Sequence, residues 1–181
     1  MSLASVKSVN PILVERHYLG PCRRGAFAWR DEHGVMVFAK PASRRLSGSW
    51  LELTRWCLNG QPNGGSQQWA RFSRWARVYL RQYTTVVSYS DPAQGHTGAL
   101  YRACNWLWAP TWHRLRPPPS GNGNWSAKQQ SVKDRWIFPL AFDPERVAML
   151  RIEDDALRRR MPWAEFREDK GGDYKRWRAE A

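Results

Sequence analysis

The 181-residue sequence predicts one α/β domain built on a mixed, mostly antiparallel sheet flanked by helices. Three stretches carry that expectation. Two apolar runs, 25–30 and 34–39, flank the turn Asp31-Glu32-His33-Gly34 and read as a hairpin. A longer run, 49–58, stops at the break Asn59-Gly60-Gln61-Pro62-Asn63-Gly64-Gly65-Ser66, and helical spacing follows it. The β-branched run 84–88 then leads through a loop bearing two glycines and a proline into a second segment with helical spacing, 99–104.

In chain order, 25–30 and 34–39 are the first two strands and 49–58 the third, with partial alternation. The spacing predicts a helix over 67–82, in which Trp69, Phe72, Ala76 and Tyr79 form the core face. Arg71, Arg74, Arg77 and Arg81 fall opposite. Such a stripe is usually a solvated face, but no acidic residue in the helix pairs with these arginines, which adds weight to a phosphate partner such as DNA. After the strand 84–88 and the helix 99–104, residues 105–113 and 135–142 read as later strands. The proline-rich stretch 116–124 between them cannot be regular structure. From Asp143 the chain is polar, so residues 1–142 are expected to form the folded domain and 143–181 a charged, helical appendage with a frayed end.

Charge is distributed unevenly. Residues 1–142 carry 19 Lys and Arg against 6 Asp and Glu, whereas 143–181 carry 10 of each, so the whole excess of +13 lies on the expected core. Such a surface suits a polyanion, most simply nucleic acid, unless it is merely basic. Among 12 tryptophans, several follow arginine (Arg55-Trp56, Arg74-Trp75, Arg135-Trp136, Arg176-Trp177), a pairing able to stack on bases, although most are expected to serve packing. Cys22, Cys57 and Cys104 show no Cys-x-x-Cys spacing, which argues against a disulfide framework or structural zinc and fits a reducing cytoplasm. No apolar stretch approaches membrane-spanning length, so no membrane partner is expected.

The loop from Tyr89 to Tyr101 concentrates the chemistry. It sets Asp91, His96 and Tyr101 at one strand-to-helix junction, the sheet edge where α/β proteins bind ligands. Asp91 before Pro92 can equally begin a turn, and His96 can be a solvated loop residue.

The order of elements resembles the GNAT-type acyltransferase fold, in which the loop after the long central strand cradles the diphosphate of acyl-coenzyme A. Gly64, Gly65 and Ser66 stand at that place, where backbone N–H groups at a helix N-terminus can bind phosphate. A closer resemblance rests on His17-Tyr18-Leu19-Gly20, Leu53-Thr54-Arg55-Trp56, Asn63 with Ser66, Ser88-Tyr89-Ser90-Asp91-Pro92, Gly95-His96-Thr97-Gly98 with Tyr101, and Lys133-Asp134-Arg135-Trp136. Over about residues 13–140 these look like the Mom DNA-modification family of Mu-type phages.

The resemblance implies an enzyme that places an acetamido (carbamoylmethyl) group on the N6 amine of adenine in double-stranded DNA, protecting phage DNA from host restriction. The donor is an acyl-CoA such as acetyl-CoA. In that frame Asp91 holds the amine and can take its proton. Tyr101 is the acid for the leaving thiolate, and His17 is a second base or an electrostatic element. Arg55, Gly64, Gly65 and Ser66 bind the cofactor. His17, Tyr18, Asp91 and Tyr101 could also converge on an iron-like metal, although no spacing establishes it. Two other classes stay open: a non-catalytic DNA-binding protein, and a GNAT-like acyltransferase acting on RNA or protein amines.

Overall fold

The computed structural model describes residues 2–23, 25–43, 46–109 and 133–141. Their seven strands form one sheet in the order β1-β2-β3-β4-β5-β7-β6. The strands are β1 (Ser2–Ala4), β2 (Phe27–Asp31), β3 (Gly34–Ala39), β4 (Trp50–Leu58), β5 (Thr85–Ser90), β6 (Leu107–Ala109) and β7 (Asp134–Pro139); the helices are α1 (Val6–Arg16), α2 (Gly64–Tyr79) and α3 (Ala99–Ala103). Only β4 and β5 pair in parallel, so the sheet is mixed and mostly antiparallel, as expected. The residues 110–113, 116–124 and 143–181, for which a strand end, an irregular stretch and an appendage are expected, lie outside the described residues.

Alternation along β2 and β3 sorts side chains onto two faces. Trp29, Met36 and Phe38 join Leu51, Leu53, Trp69, Phe72, Ala76, Tyr101 and Trp136 in the larger core under α2 and α3. Ala28, Val35, Val37 and Cys57 meet Val9 and Leu13 of α1 on the other face. The result is a helix–sheet–helix sandwich, with aromatic contacts such as Phe38 stacked on Phe72 at 4.2 Å carrying the main core. Trp29, Trp50, Trp69, Trp106 and Trp136 are buried, so the tryptophans in the described residues serve chiefly packing.

Strand β1 and helix α1 have no counterpart among the expected elements. Helix α1 has Ser5 as its N-cap, accepting from the Ser8 N–H at 3.1 Å, but it carries Pro11 inside and buries only Val9 and Leu13. Proline removes a helical donor and so conceals the helix in the sequence. Tyr79 also departs from its expected core position: it is the last residue of α2, one turn beyond the last buried position Ala76, is 67% exposed, and stacks on Trp75.

The hairpin turn depends on Gly34, whose φ is +142° and whose Cβ, if present, would stand 2.1 Å from the Cys57 carbonyl oxygen. Backbone of a paired strand cannot yield as a side chain can. Gly34→Ala is therefore expected to lower stability by about 2–4 kcal/mol, read by chemical denaturation. An unchanged midpoint would mean that the hairpin and β4 do not approach this closely.

Candidate active site

The parallel pair at the centre of the sheet comes apart. Strands β4 and β5 pair from Trp50–Thr85 to Leu53–Ser88. Beyond that point β4 continues to Leu58, while β5 stays with β7 as far as the Ser90–Asp134 pair. The strands thus diverge past Leu53 and Ser88, leaving a gap in which backbone N–H and C=O groups lack a ladder partner. On the other side of β4, Val37 faces Arg55 and Phe38 faces Leu53, so Thr54 is an extra residue in a bulge. Bulges re-aim side chains. Arg55 is turned toward the α1 face, where its Nε donates to the Gly20 carbonyl at 3.3 Å and its Nη1 to the Thr54 carbonyl at 2.8 Å.

Asp91 follows the last residue of β5 and is fully buried. Its Oδ1 accepts from the Ala93 N–H at 3.1 Å, capping the single 3₁₀ turn Pro92–Gln94. Gly95, with φ of +77°, turns the chain back so that the Asp91 N–H donates to His96 Nδ1 at 3.2 Å. The other carboxylate oxygen, Oδ2, lies 3.5 Å from the Lys133 ammonium. That ammonium also donates to the Tyr18 hydroxyl at 3.5 Å and sits 5.8 Å from the centre of its ring.

Tyr18 is packed between two imidazoles, His17 stacked at 5.0 Å and His96 edge-on at 5.2 Å. His17 Nδ1 accepts from the Leu19 N–H at 3.2 Å. Burial, with the nearby charges of Arg55, His96 and Lys133, pushes the His17 pKa down to about 4, and burial also lowers that of His96. Each imidazole spends Nδ1 as an acceptor and, when neutral, carries its proton on Nε2. His17 is thereby better suited to donate a hydrogen bond than to act as a base. Burial and the Asp91 charge raise Tyr18 to about 12.

Tyr101 forms the floor, stacked on Trp136 at 5.2 Å and edge-on to Trp56 and Trp106. Ser88 Oγ donates to the Leu53 carbonyl, so in its 2.9 Å contact with Tyr101 the phenol is the donor. Burial raises Tyr101 to about 12, leaving a protonated hydroxyl whose hydrogen is engaged with Ser88. Gly98 closes this floor: its φ is +74°, and a Cβ there would stand 2.2 Å from Trp136 Cζ2.

The cofactor residues expected from the sequence divide between two places. Arg55 stands with His17, whereas Gly64, Gly65 and Ser66 open α2, whose N-cap Asn63 makes no side-chain capping bond. The glycines there also serve close packing. A Cβ on Gly65 would stand 2.3 Å from Leu100 Cδ1, and one on Gly64 3.2 Å from His33 Nδ1. The Ser66 hydroxyl donates to the Asn63 carbonyl at 3.0 Å, leaving its backbone N–H as the group to offer a ligand.

The arginine stripe is not uniform. Arg71 pairs with Glu32, which that bond lowers to about 2, and it lies 4.0 Å from Asp31. Arg77 donates to the Leu140 carbonyl at 3.0 Å and covers the Phe138 ring. Arg74 and Arg81 are exposed.

His17, Tyr18, Asp91 and Tyr101 do not fit a metal as arranged. His17 Nδ1 and the Tyr101 hydroxyl are spent on Leu19 and Ser88, and an ammonium already bridges Tyr18 and Asp91. Among the described residues, no three His, Cys, Asp or Glu side chains gather to hold a metal ion. The role of Lys133 escaped sequence reasoning, although it heads the stretch Lys133-Asp134-Arg135-Trp136 that carries part of the resemblance.

Residues 4–136 match the family model described as the Mom protein family. No curated protein matches the chain. Among solved structures, a Bacillus subtilis acetyltransferase in complex with CoA is similar, with a TM-score of 0.42 and 16% identity over 74% of this chain and 83% of that one.

Acid should destabilise the site. His17 titrates near 6.5 when unfolded and near 4 when folded, so the unfolded chain takes up its proton first as pH falls. The stabilisation is complete above pH 6.5 and lost progressively toward pH 4. Denaturation midpoints are expected to drop across this window, and less steeply for His17→Gln; parallel profiles for the two proteins would contradict the assignment.

Proposed function

This chain belongs to the Mom protein family, and we propose that it is a GNAT-like transferase carrying a small acyl-derived group from a coenzyme A thioester to the N6 amine of adenine in double-stranded DNA. The family implies an acetamido (carbamoylmethyl) group that shields phage DNA from restriction, whereas direct acyl transfer leaves an acyl group on the same amine. The observation that carries this reading is Asp91: a fully buried carboxylate at the mouth of the β4–β5 divergence, with both oxygens held by donors.

Adenine's exocyclic nitrogen is a weak nucleophile because its lone pair is delocalised into the ring. A carboxylate accepting one of its N–H groups restores electron density to that nitrogen and fixes its direction of attack. An amine stacked in duplex DNA cannot reach a carboxylate buried this deeply, so the base must be flipped out of the helix. His17 and His96, as neutral imidazoles, then present N–H donors beside Tyr18, and Arg55 adds positive charge on the same face.

The donor enters through the gap. Backbone groups of β4 and β5 beyond the end of their shared ladder can bond the extended amide arm of the thioester, and the Gly65 and Ser66 N–H groups at the uncapped start of α2 meet its diphosphate. In acyl transfer the N–C bond forms as the C–S bond breaks, the amine loses a proton and the thiolate gains one. Tyr101 remains protonated at neutral pH and can supply that proton once its hydroxyl leaves Ser88, at a cost of about 1 kcal/mol for the hydrogen bond given up. This step leaves an acyl group on N6, whereas a carbamoylmethyl group is joined through its methylene carbon and carries a further nitrogen. Acyl transfer from acetyl-CoA alone therefore does not make it, and the mass of the modified nucleoside separates an acetyl from a carbamoylmethyl product.

The test is co-expression with plasmid DNA, digestion to nucleosides and mass analysis. Wild type is expected to yield a mass-shifted deoxyadenosine and Asp91→Asn none, while Asn keeps the oxygen that caps residues 92–94 and hence the fold. Full modification by Asp91→Asn would reduce Asp91 to a turn residue.

DNA binding gives a second expectation. Arg74 and Arg81 are the exposed members of the stripe, and Arg81 lies in the turn between α2 and β5, beyond the end of β5 that is away from Asp91. They would meet phosphates remote from the flipped nucleotide. Replacing both with Ser should weaken binding equally on all sequences and flatten log K against log salt by roughly one unit for each phosphate no longer neutralised. An unchanged slope would move the DNA to other basic segments.

A further inference from the structure

The pairing of β5 with β7 runs Tyr89–Arg135, then Ser90–Asp134. The next position in this antiparallel register sets Asp91 opposite Lys133, one residue past the end of each strand. The sheet itself therefore delivers the ammonium to the carboxylate. Tyr18, in the loop after α1, receives the same ammonium at 3.5 Å, so one cation joins the ends of β5 and β7 and the segment following α1. The Lys133 side chain is 18% exposed and that of Asp91 is fully buried.

We propose that Lys133 is a positioning residue for the transfer reaction, its ammonium fixing the Asp91 carboxylate and the Tyr18 phenol relative to each other so that the amine of the incoming base finds a single acceptor geometry. The inference rests on the functional reading above. Asp91 Oδ1 is held by the Ala93 N–H, and Lys133 holds Oδ2. Without the ammonium, the carboxylate is freer to rotate about its Cβ–Cγ bond. Tyr18 at the same time loses the Lys133 ammonium and keeps its ring contacts with His17 and His96. A displacement of this kind lowers turnover without weakening donor binding, because the start of α2 is untouched.

Lys133→Met and Lys133→Arg separate the charge from the packing. Met matches the length of the alkyl stem, and Arg restores a cation able to reach both oxygens. With wild type active, the proposal expects Met to lower kcat for DNA modification on the order of 10²-fold with KM for the acyl-CoA unchanged, and Arg to recover most of that loss. Equal kcat in Met and wild type, or a loss in Arg as large as in Met, overturns it. A Met variant that raises KM for the donor with kcat intact overturns it as well.

Stability provides a readout independent of activity. A double-mutant cycle of Lys133→Gln with Asp91→Asn, measured by chemical denaturation, is expected to be non-additive. Additive effects defeat the proposal. An inactive wild type together with a non-additive cycle would sink the functional reading while leaving the Lys133–Asp91 link in place. Should Lys133→Met not fold, Arg against Gln serves the same comparison.

Discussion

The hydrogen-bonded knot at Leu53, Ser88 and Tyr101 determines where the central strands part. Ser88 Oγ donates to the Leu53 carbonyl on the last rung that β4 and β5 share, and the Tyr101 hydroxyl donates to that same Ser88 Oγ. One serine thus closes the parallel ladder and anchors the floor of the site. The stack of Tyr101 on Trp136, and the bond from Trp136 Nε1 to Ser90 Oγ at 2.9 Å, carry that placement up to the residue before Asp91. A gap between strands and a buried acid at its mouth follow from the same few contacts. Replacing Ser88 with an apolar residue would leave a buried phenol without its acceptor, an expensive loss in a low-dielectric core.

A comparable network supports the other end of the gap. The Trp56 indole can only donate, so its 2.8 Å bond to Gln68 Oε1 fixes the orientation of that amide, whose nitrogen then donates to Asp31 at 2.8 Å. Asp31 also accepts from the His33 N–H, and His33 bonds Gln61 in the loop leading to α2. The hairpin turn, the glycine-rich loop and the first turns of α2 are therefore one hydrogen-bonded unit, with Trp56 edge-on to Tyr101 joining it to the acid's side. Glu32 and Asp31 also draw in Arg71, which is why an arginine without acidic neighbours in its own helix is still neutralised in the fold.

What the sequence revealed was mostly local. Alternation in β2 and β3, β-branching in β5 and the Trp69, Phe72, Ala76 spacing in α2 each reflect burial within a few residues, and the elements formed where those patterns lie. Asp91 was visible for the same reason, since a strand, a Pro/Gly loop and a helix announce a junction. Helix α1 was hidden by Pro11 and by a face only two buried residues wide. The partnership of Lys133 with Asp91 was beyond reach because it depends on which rungs β5 and β7 share, a property of two strands far apart in the chain. The glycines before α2 were legible as glycines but not in purpose: Gly65 makes room for Leu100 as well as exposing backbone.

The register of β7 has a consequence for folding fidelity. Side chains along a strand alternate, so a slip of one residue would turn Trp136 and Phe138 away from the main core, and in one direction it would bring Asp134 instead of Lys133 opposite Asp91. Two carboxylates would then face each other at a buried position where an ion pair belongs. Chains misthreaded in that direction therefore carry an electrostatic fault in addition to a packing fault, and both appear at the same strand end. The Lys133–Asp91 pair at the candidate site thus also acts as a proofreading device for the strand that completes the sheet.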